Sequence, residues 1–137
     1  MVAVNPVSSV NFKITNMIMD GVFERFPRLK IVLVEGGFAW VPPLAWKLDR
    51  QWNIMRDEVP HVKRAPSEYL REHFWFTTQP VEESERPSDL FDTIRWIGSD
   101  RLTFSTDYPH WDFDDPSSAF KIELSGEDRK AIQETGN

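Results

Sequence analysis

The sequence predicts an α/β fold built on a small parallel sheet, and three observations carry that prediction. Short apolar runs rich in β-branched or aromatic residues, at 30–34, 73–78 and 101–106, alternate with longer stretches whose apolar residues recur at helical spacing. Each run leads into a helix or loop rather than directly into another strand, which makes the connections right-handed crossovers and the sheet parallel. The 137 residues are enough for one domain with a real core, but fall short of a complete (β/α)8 barrel of ~250 residues. Three strands leave sheet edges open, so the pattern is that of a part of something larger.

In chain order the first element is a helix. It follows the Asn5-Pro6 turn, with Ser8 or Ser9 as its cap and Val10, Ile14, Met17, Ile18 and Val22 on one side, and Pro27 stops it. Phe12, Met19, Phe23 and Phe26 form a second apolar set, so this helix expects cover on more than one face. Residues 30–34 read as a strand buried on both faces, ending at Glu35-Gly36-Gly37. A long helix follows with Val41, Leu44, Ala45, Leu48, Trp52 and Met55 on one face, and with Pro42 and Pro43 in the first turn, where their missing donors cost little. Pro60 ends it. A basic loop (His61, Lys63, Arg64) then leads into a short helix over 66–71, and residues 73–78 give the second strand. Residues 82–86 read as an acidic surface turn. Leu90, Phe91, Ile94 and Ile97 mark a helix that Gly98 closes, residues 101–106 are the third strand, and Ser125 with Asp128 resembles a capping box for a last short helix.

Composition removes several functions. Sixteen Lys and Arg against 22 Asp and Glu give a formal charge of −6, which argues against nucleic-acid binding, a task that usually needs a basic face. With no cysteine, disulfides and thiolate metal sites are excluded, and any metal must be held by His, Asp or Glu. No apolar run approaches the ~20 residues that span a bilayer, and the first residues lack a signal-peptide pattern. No membrane partner and a cytoplasmic location are therefore expected. Trp40, Trp52, Trp75 and Trp96 fall on predicted element faces and are assigned to the core.

The segment Phe104-Ser105-Thr106-Asp107-Tyr108-Pro109-His110 carries the best chemical signal. It puts Asp107 at the carboxyl end of a strand, where α/β proteins keep their chemistry. Two roles stay open for Asp107: metal ligand or general base, against a turn aspartate bonding the amides that follow it. Glu35 ends the first strand on the same predicted rim, either as a functional carboxylate or as an acceptor of the Gly36 and Gly37 amides. His110 is a ligand or proton shuttle, or else a packed loop histidine. His73, at the start of a strand, is read as structural and His61, in the basic loop, as solvated; no two histidines share metal-pair spacing. Residues 111–116 lack the ligand alternation of a calcium loop and read as a solvated acidic turn. Arg50, Arg56 and Arg64 could meet a carboxylate substrate, but salt-bridged surface arginines are the simpler reading.

The stretch from Phe23-Glu24-Arg25-Phe26-Pro27 through Ile31-Val32-Leu33-Val34-Glu35-Gly36-Gly37, then Trp40-Val41-Pro42-Pro43, then Thr106-Asp107-Tyr108-Pro109-His110, resembles the amidohydrolase-related family in order and spacing. These are metal-dependent hydrolases and decarboxylases grouped with aminocarboxymuconate-semialdehyde decarboxylase, and the resemblance spans nearly the whole chain. It implies a TIM-like, distorted (β/α)8 barrel. Residues 1–137 would be a single partial amidohydrolase-type domain, the C-terminal portion of about three βα units. It also implies that Asp107 binds a divalent metal, with zinc expected, and can act in proton transfer. Where the decarboxylase branch has a catalytic histidine before the Gly-Gly turn, this sequence has Glu35, which can still ligate or act as acid or base. Glu35 and His110 would line the pocket. The family's His-x-His and its fifth-strand histidine have no counterpart here.

The function so implied is hydrolysis or decarboxylation of a small carbonyl or carboxylate substrate by a metal-dependent enzyme. This chain alone would be incomplete and inactive, since a catalytic zinc takes three protein ligands. The alternative is a non-catalytic half-barrel that self-associates through its sheet edges, or a binding module. The expected partners are a small-molecule substrate and either a second copy or the missing N-terminal part of the barrel.

Overall fold

The computed structural model describes residues 6–82, 84–106, 108–109 and 124–134. Its packing falls into two compact units, one of residues 1–31 and 43–74, the other of residues 32–42 and 75–137.

The first unit is helical. Helix α1 (Pro6–Met19) begins at the proline, whose fixed φ suits a first helical position, so Ser8 and Ser9 fall inside its first turn instead of capping it. The single helix predicted up to Pro27 is broken at Gly21, where φ is 70°, and resumes as α2 (Val22–Arg25). His61 explains the break: its Nε2 lies 2.7 Å from the Met19 carbonyl, and its ring occupies the space 2.8 Å from where a Cβ on residue 21 would sit. That loop histidine, expected to be merely solvated, holds the end of α1 while remaining exposed. Helix α3 (Val41–Met55) buries Ala45, Leu48 and Trp52, and the Trp52 indole donates to the Val62 carbonyl at 3.0 Å. Helix α4 (Pro66–His73) starts where the Ser67 amide donates to Asp49 at 2.8 Å. It runs further than predicted and takes in His73. That residue is fully buried, pairs through Nδ1 with the Leu29 carbonyl at 2.8 Å, and stacks on Phe23 with centroids 4.4 Å apart. Ile14, Ile18, Phe23, Tyr69, Leu70 and Phe74 complete this core. Phe12 and Phe26, expected to be covered, stay exposed.

The second unit carries the sheet, whose order is β1 (Ile31–Leu33), β2 (Phe74–Thr77), β3 (Leu102–Thr103). Strand β2 pairs parallel with β3, Phe76 opposite Leu102 and Thr77 opposite Thr103. The first strand is not buried on both faces as its composition predicts. Val32 is 55% and Val34 64% exposed, because a strand alternates its faces and this face is left uncovered. The third strand is shorter than 101–106 because its later amides turn elsewhere: Phe104 donates to the Ile132 carbonyl at 3.2 Å and Ser105 to Thr78 Oγ1 at 3.3 Å. Helix α5 (Pro87–Ile97) buries Leu90, Ile94 and Ile97 and closes at Gly98 (φ 99°), whose amide returns to the Ile94 carbonyl at 2.9 Å. A 3-10 turn, Ser99–Arg101, leads into β3. The cap predicted for α6 (Gly126–Glu134) is present: Ser125 Oγ accepts the Asp128 amide at 3.1 Å and donates to its carboxylate at 2.7 Å. That bond, with a second from Ser99, holds the Asp128 carboxyl below its usual range. Of the predicted core tryptophans Trp52 is buried, while Trp40, Trp75 and Trp96 are half-buried. Among the described residues no helix is long and apolar enough to cross a membrane.

Candidate functional site

The carboxyl ends of the strands are tied together by two threonines of the second unit. Thr77 and Thr78 close β2 and are buried. Each hydroxyl accepts an amide from a neighbouring strand end: Thr77 Oγ1 takes the Glu35 N–H at 3.0 Å, and Thr78 Oγ1 takes the Ser105 N–H at 3.3 Å. The Thr78 amide donates in turn to the Thr103 carbonyl at 3.0 Å. Glu35, beyond β1, and Ser105, beyond β3, are thereby brought to one rim, as the strand order predicts. The Thr106 hydroxyl then accepts the Tyr108 amide at 3.3 Å. Asp107 and His110 lie outside the described residues, as does the acidic turn at 111–116.

Glu35 has φ 56°, in the left-handed region that residues with a Cβ rarely adopt. Its side chain is exposed, and among the described residues its carboxylate has no hydrogen-bond or ion-pair partner. The Gly36 and Gly37 amides are thus not what it binds. The carboxylate that does bind amides here is Glu82, expected on a surface turn but found half-buried. Its Oε1 accepts from Phe38 at 2.8 Å and from Ala39 at 2.9 Å. Gly37 (φ 63°) makes room for it: a Cβ there would sit 2.3 Å from that same oxygen. The Trp40 indole pins the turn from the other side, donating to the Gly36 carbonyl at 2.8 Å.

In the sequence Thr77-Thr78 stand out only as the end of the second predicted strand, and Glu82 only as part of a surface turn. One signal for Glu82 is present there. Phe38-Ala39-Trp40 precede α3 without a Ser, Thr, Asp or Asn, so the free amides at that helix start need an acceptor from elsewhere.

As to metal, Glu35 offers an unengaged oxygen donor of the kind hard divalent cations take. Among the described residues no three His, Asp or Glu gather to hold an ion. They therefore do not form a complete three-ligand site. His73 is committed to its core, as expected, and Arg56 and Arg64 to their neighbours. Arg64 pairs with Glu72 at 2.6 Å and lies over the Tyr69 ring, and Arg56 lies over Trp52. An open depression of about 340 Å³ in the first unit, lined by residues 25–29, includes none of the predicted site residues.

The marked titration shifts of the first unit centre on Tyr69. Its hydroxyl donates to Glu24 and accepts the amides of Lys63 and Arg64, each at 3.2 Å. The bond from Tyr69 holds the Glu24 carboxyl below its usual range. Burial, seconded by Glu24, pushes the Tyr69 phenol up. The Arg64 guanidinium in turn lowers Glu72.

Comparison with known proteins shows the family and the fold. The amidohydrolase family model matches residues 11–135. The γ-resorcylate decarboxylase of Polaromonas sp. (strain JS666) is 35% identical over 116 residues, 82% of this chain and 34% of that protein. The chain thus spans about a third of the length of the curated relatives it matches. The crystal structure of an amidohydrolase from Mycobacterium avium subsp. paratuberculosis aligns with a TM-score of 0.74 at 29% identity, over 92% of this chain and 31% of that one. The dihydroxybenzoic acid decarboxylase of Polaromonas sp. JS666, solved with manganese and the inhibitor 2-nitroresorcinol, aligns with a TM-score of 0.68 at 29% identity, over 92% and 37% of the two chains. These neighbours are TIM-barrel proteins, and the sheet and helices described above are those of a partial α/β barrel.

Proposed function

The chain belongs to the amidohydrolase family, and from that premise we propose that it carries part of the active-site rim of a divalent-metal-dependent decarboxylase acting on a small aromatic carboxylate. The observation that carries this reading is the rim itself. The Thr77 and Thr78 hydroxyls gather Glu35 and the segment leading to Asp107 at the strand ends where barrels keep their chemistry. The names of the relatives favour decarboxylation over hydrolysis, and the manganese of one of them supports a divalent ion. In this reading residues 1–137 act as one partial domain. Asp107 is a metal ligand, Glu35 a second ligand or the acid-base group, and His110 lines the pocket. A divalent ion held there would draw charge from the substrate's carboxylate oxygens. Glu35, exposed at the rim, would deliver the proton that takes the place of the departing carbon dioxide on the ring carbon.

Alone, with Asp107 and Glu35 as its ligands, the chain holds the ion weakly and turns over little, because catalytic sites of this kind use three or more. Metal content after desalting and carbon dioxide release from a dihydroxybenzoate, with Mn²⁺ and Zn²⁺ supplied in turn, test this. Sub-stoichiometric metal and background turnover are expected. Stoichiometric metal or metal-dependent turnover, abolished by Asp107→Ala, would mean that the whole site lies within this chain.

A second reading rests on β1, an outer strand of the described sheet, with Val32 in it and Val34 just beyond it exposed. Exposed apolar edge strands pair with other chains, so a homo-oligomer joined along β1 is expected by light scattering. A monomer that Val32→Lys leaves unchanged would contradict it.

A further inference from the structure

The turn from Glu35 to Ala39 is pinned at both ends by residues that follow or end β2. At one end the Thr77 hydroxyl accepts the Glu35 amide at 3.0 Å; at the other a single oxygen of Glu82 accepts the amides of Phe38 and Ala39 at 2.8 and 2.9 Å. Between them lie two left-handed residues, Glu35 (φ 56°) and Gly37 (φ 63°). A glycine adopts that conformation freely, but a glutamate adopts it against the clash of its own Cβ. Such a conformation persists only where the surroundings over-determine it. The surroundings here are the two pins.

We infer that Glu82 is a positioning residue for Glu35. Its carboxylate does not touch Glu35. By gripping the two amides beyond Gly37 it fixes the direction in which the chain leaves β1, and so the direction in which the Glu35 side chain leaves the rim. Two features make this more than an ordinary loop contact. The second oxygen of Glu82 is buried without a hydrogen-bond partner among the described residues, although buried carboxylate oxygens are normally satisfied. The side chain therefore sits where the amides are, not where its own bonding is best served. In addition, residue 37 has no room for a Cβ beside Oε1, so the glycine and the carboxylate form a matched pair. Released from Glu82, the turn would relax toward the β or α region and carry Glu35 away from the direction it now holds. The functional sense of this inference rests on the reading of Glu35 as an active-site group.

NMR on the full chain tests it. In Glu82→Ala, hydrogen exchange at the Phe38 and Ala39 amides should rise roughly tenfold or more. The backbone couplings and carbon shifts of Glu35 should lose their left-handed signature, while the amides of α4 and α5 keep their exchange rates. Glu82→Gln, which retains the acceptor oxygen, should preserve the signature. With Mn²⁺ added, broadening at Glu35 relative to Asp107 should fall in Glu82→Ala and be restored in Glu82→Gln, a ratio that a purely structural role would not move. A left-handed Glu35 in Glu82→Ala overturns the inference, and so does its loss in Glu82→Gln. Should the alanine variant unfold, the glutamine variant alone decides the matter by the same criterion. Mn²⁺ that broadens neither Glu35 nor Asp107 in the unsubstituted chain, with the conformational result intact, would instead overturn the proposed function.

Discussion

Each unit of the molecule contains one side chain that grips two consecutive backbone amides, and the two do so differently. In the first unit the Tyr69 hydroxyl accepts from Lys63 and Arg64 at 3.2 Å each and passes its own proton to Glu24. In the second, Glu82 accepts from Phe38 and Ala39 at 2.8 and 2.9 Å and leaves its other oxygen without a partner among the described residues. The shorter bonds are those of a charged acceptor. The phenol clamp is closed, with every polar valence used inside a buried aromatic cluster. The carboxylate clamp is open, holds a strained residue, and demands a glycine. A closed network returns stability, whereas an open one at a strand-end rim gives up stability for geometry.

The largest effect is expected where the closed clamp is cut. Tyr69→Phe removes the acceptor of two amides and the donor to the Glu24 carboxylate at once, a loss of ~2–3 kcal/mol in denaturant unfolding, since a hydrogen bond to a charged group alone contributes ~1.5–3 kcal/mol. A value below ~0.5 kcal/mol would show that water replaces the phenol and that the two clamps do not differ in kind. Next comes Gly37→Ala, which meets both the left-handed φ and the Glu82 oxygen and should cost ~2 kcal/mol. Combined with Glu82→Ala it should cost less than the two single changes together, because the clash is then gone.

The pH dependence is smaller and has a definite sign. The folded Glu24 carboxyl lies below its ordinary 4.5, so its share of stability is present above that value and is lost as pH falls through the folded pKa. The Tyr69 phenol lies above its ordinary 10.0, so its share is complete below that value and is lost as pH rises through the folded pKa. Urea unfolding from acid to alkali should lose both shoulders' contributions in Tyr69→Phe. Equal pH profiles for the variant and the parent chain would dissolve the closed network. Smallest of all is Lys63→Ala: the Lys63–Glu24 pair spans 3.5 Å and the lysine is 71% exposed, so the change in stability should stay within ~0.5 kcal/mol.

What can be read from the sequence follows the same division. Patterns set by near neighbours in the chain are legible: the apolar face of α3, the Gly98 stop of α5, the Ser125 cap of α6, and the three apolar runs that become strands. Patterns set by distant partners are not. Gly21 breaks the first helix because His61 fills the space beside it. His73 belongs to α4, bonded to the Leu29 carbonyl, and the third strand ends early because its amides find Ile132 and Thr78. At the rim, Glu35 stands out from its place before two glycines. Thr77 and Glu82, which hold the turn, lie 42 or more residues from the amides they bind, and no local periodicity announces them.

The proposed function requires Glu35 and Asp107 to engage a divalent ion together. Titrating the isotope-labelled chain with Mn²⁺ and mapping paramagnetic broadening residue by residue tests it most directly. The account predicts that resonances of residues 35 and 107 broaden first and together, at ion concentrations well above those of a complete site. Broadening that begins at other carboxylates, such as Asp57 and Glu58, while 35 and 107 stay sharp, would contradict it.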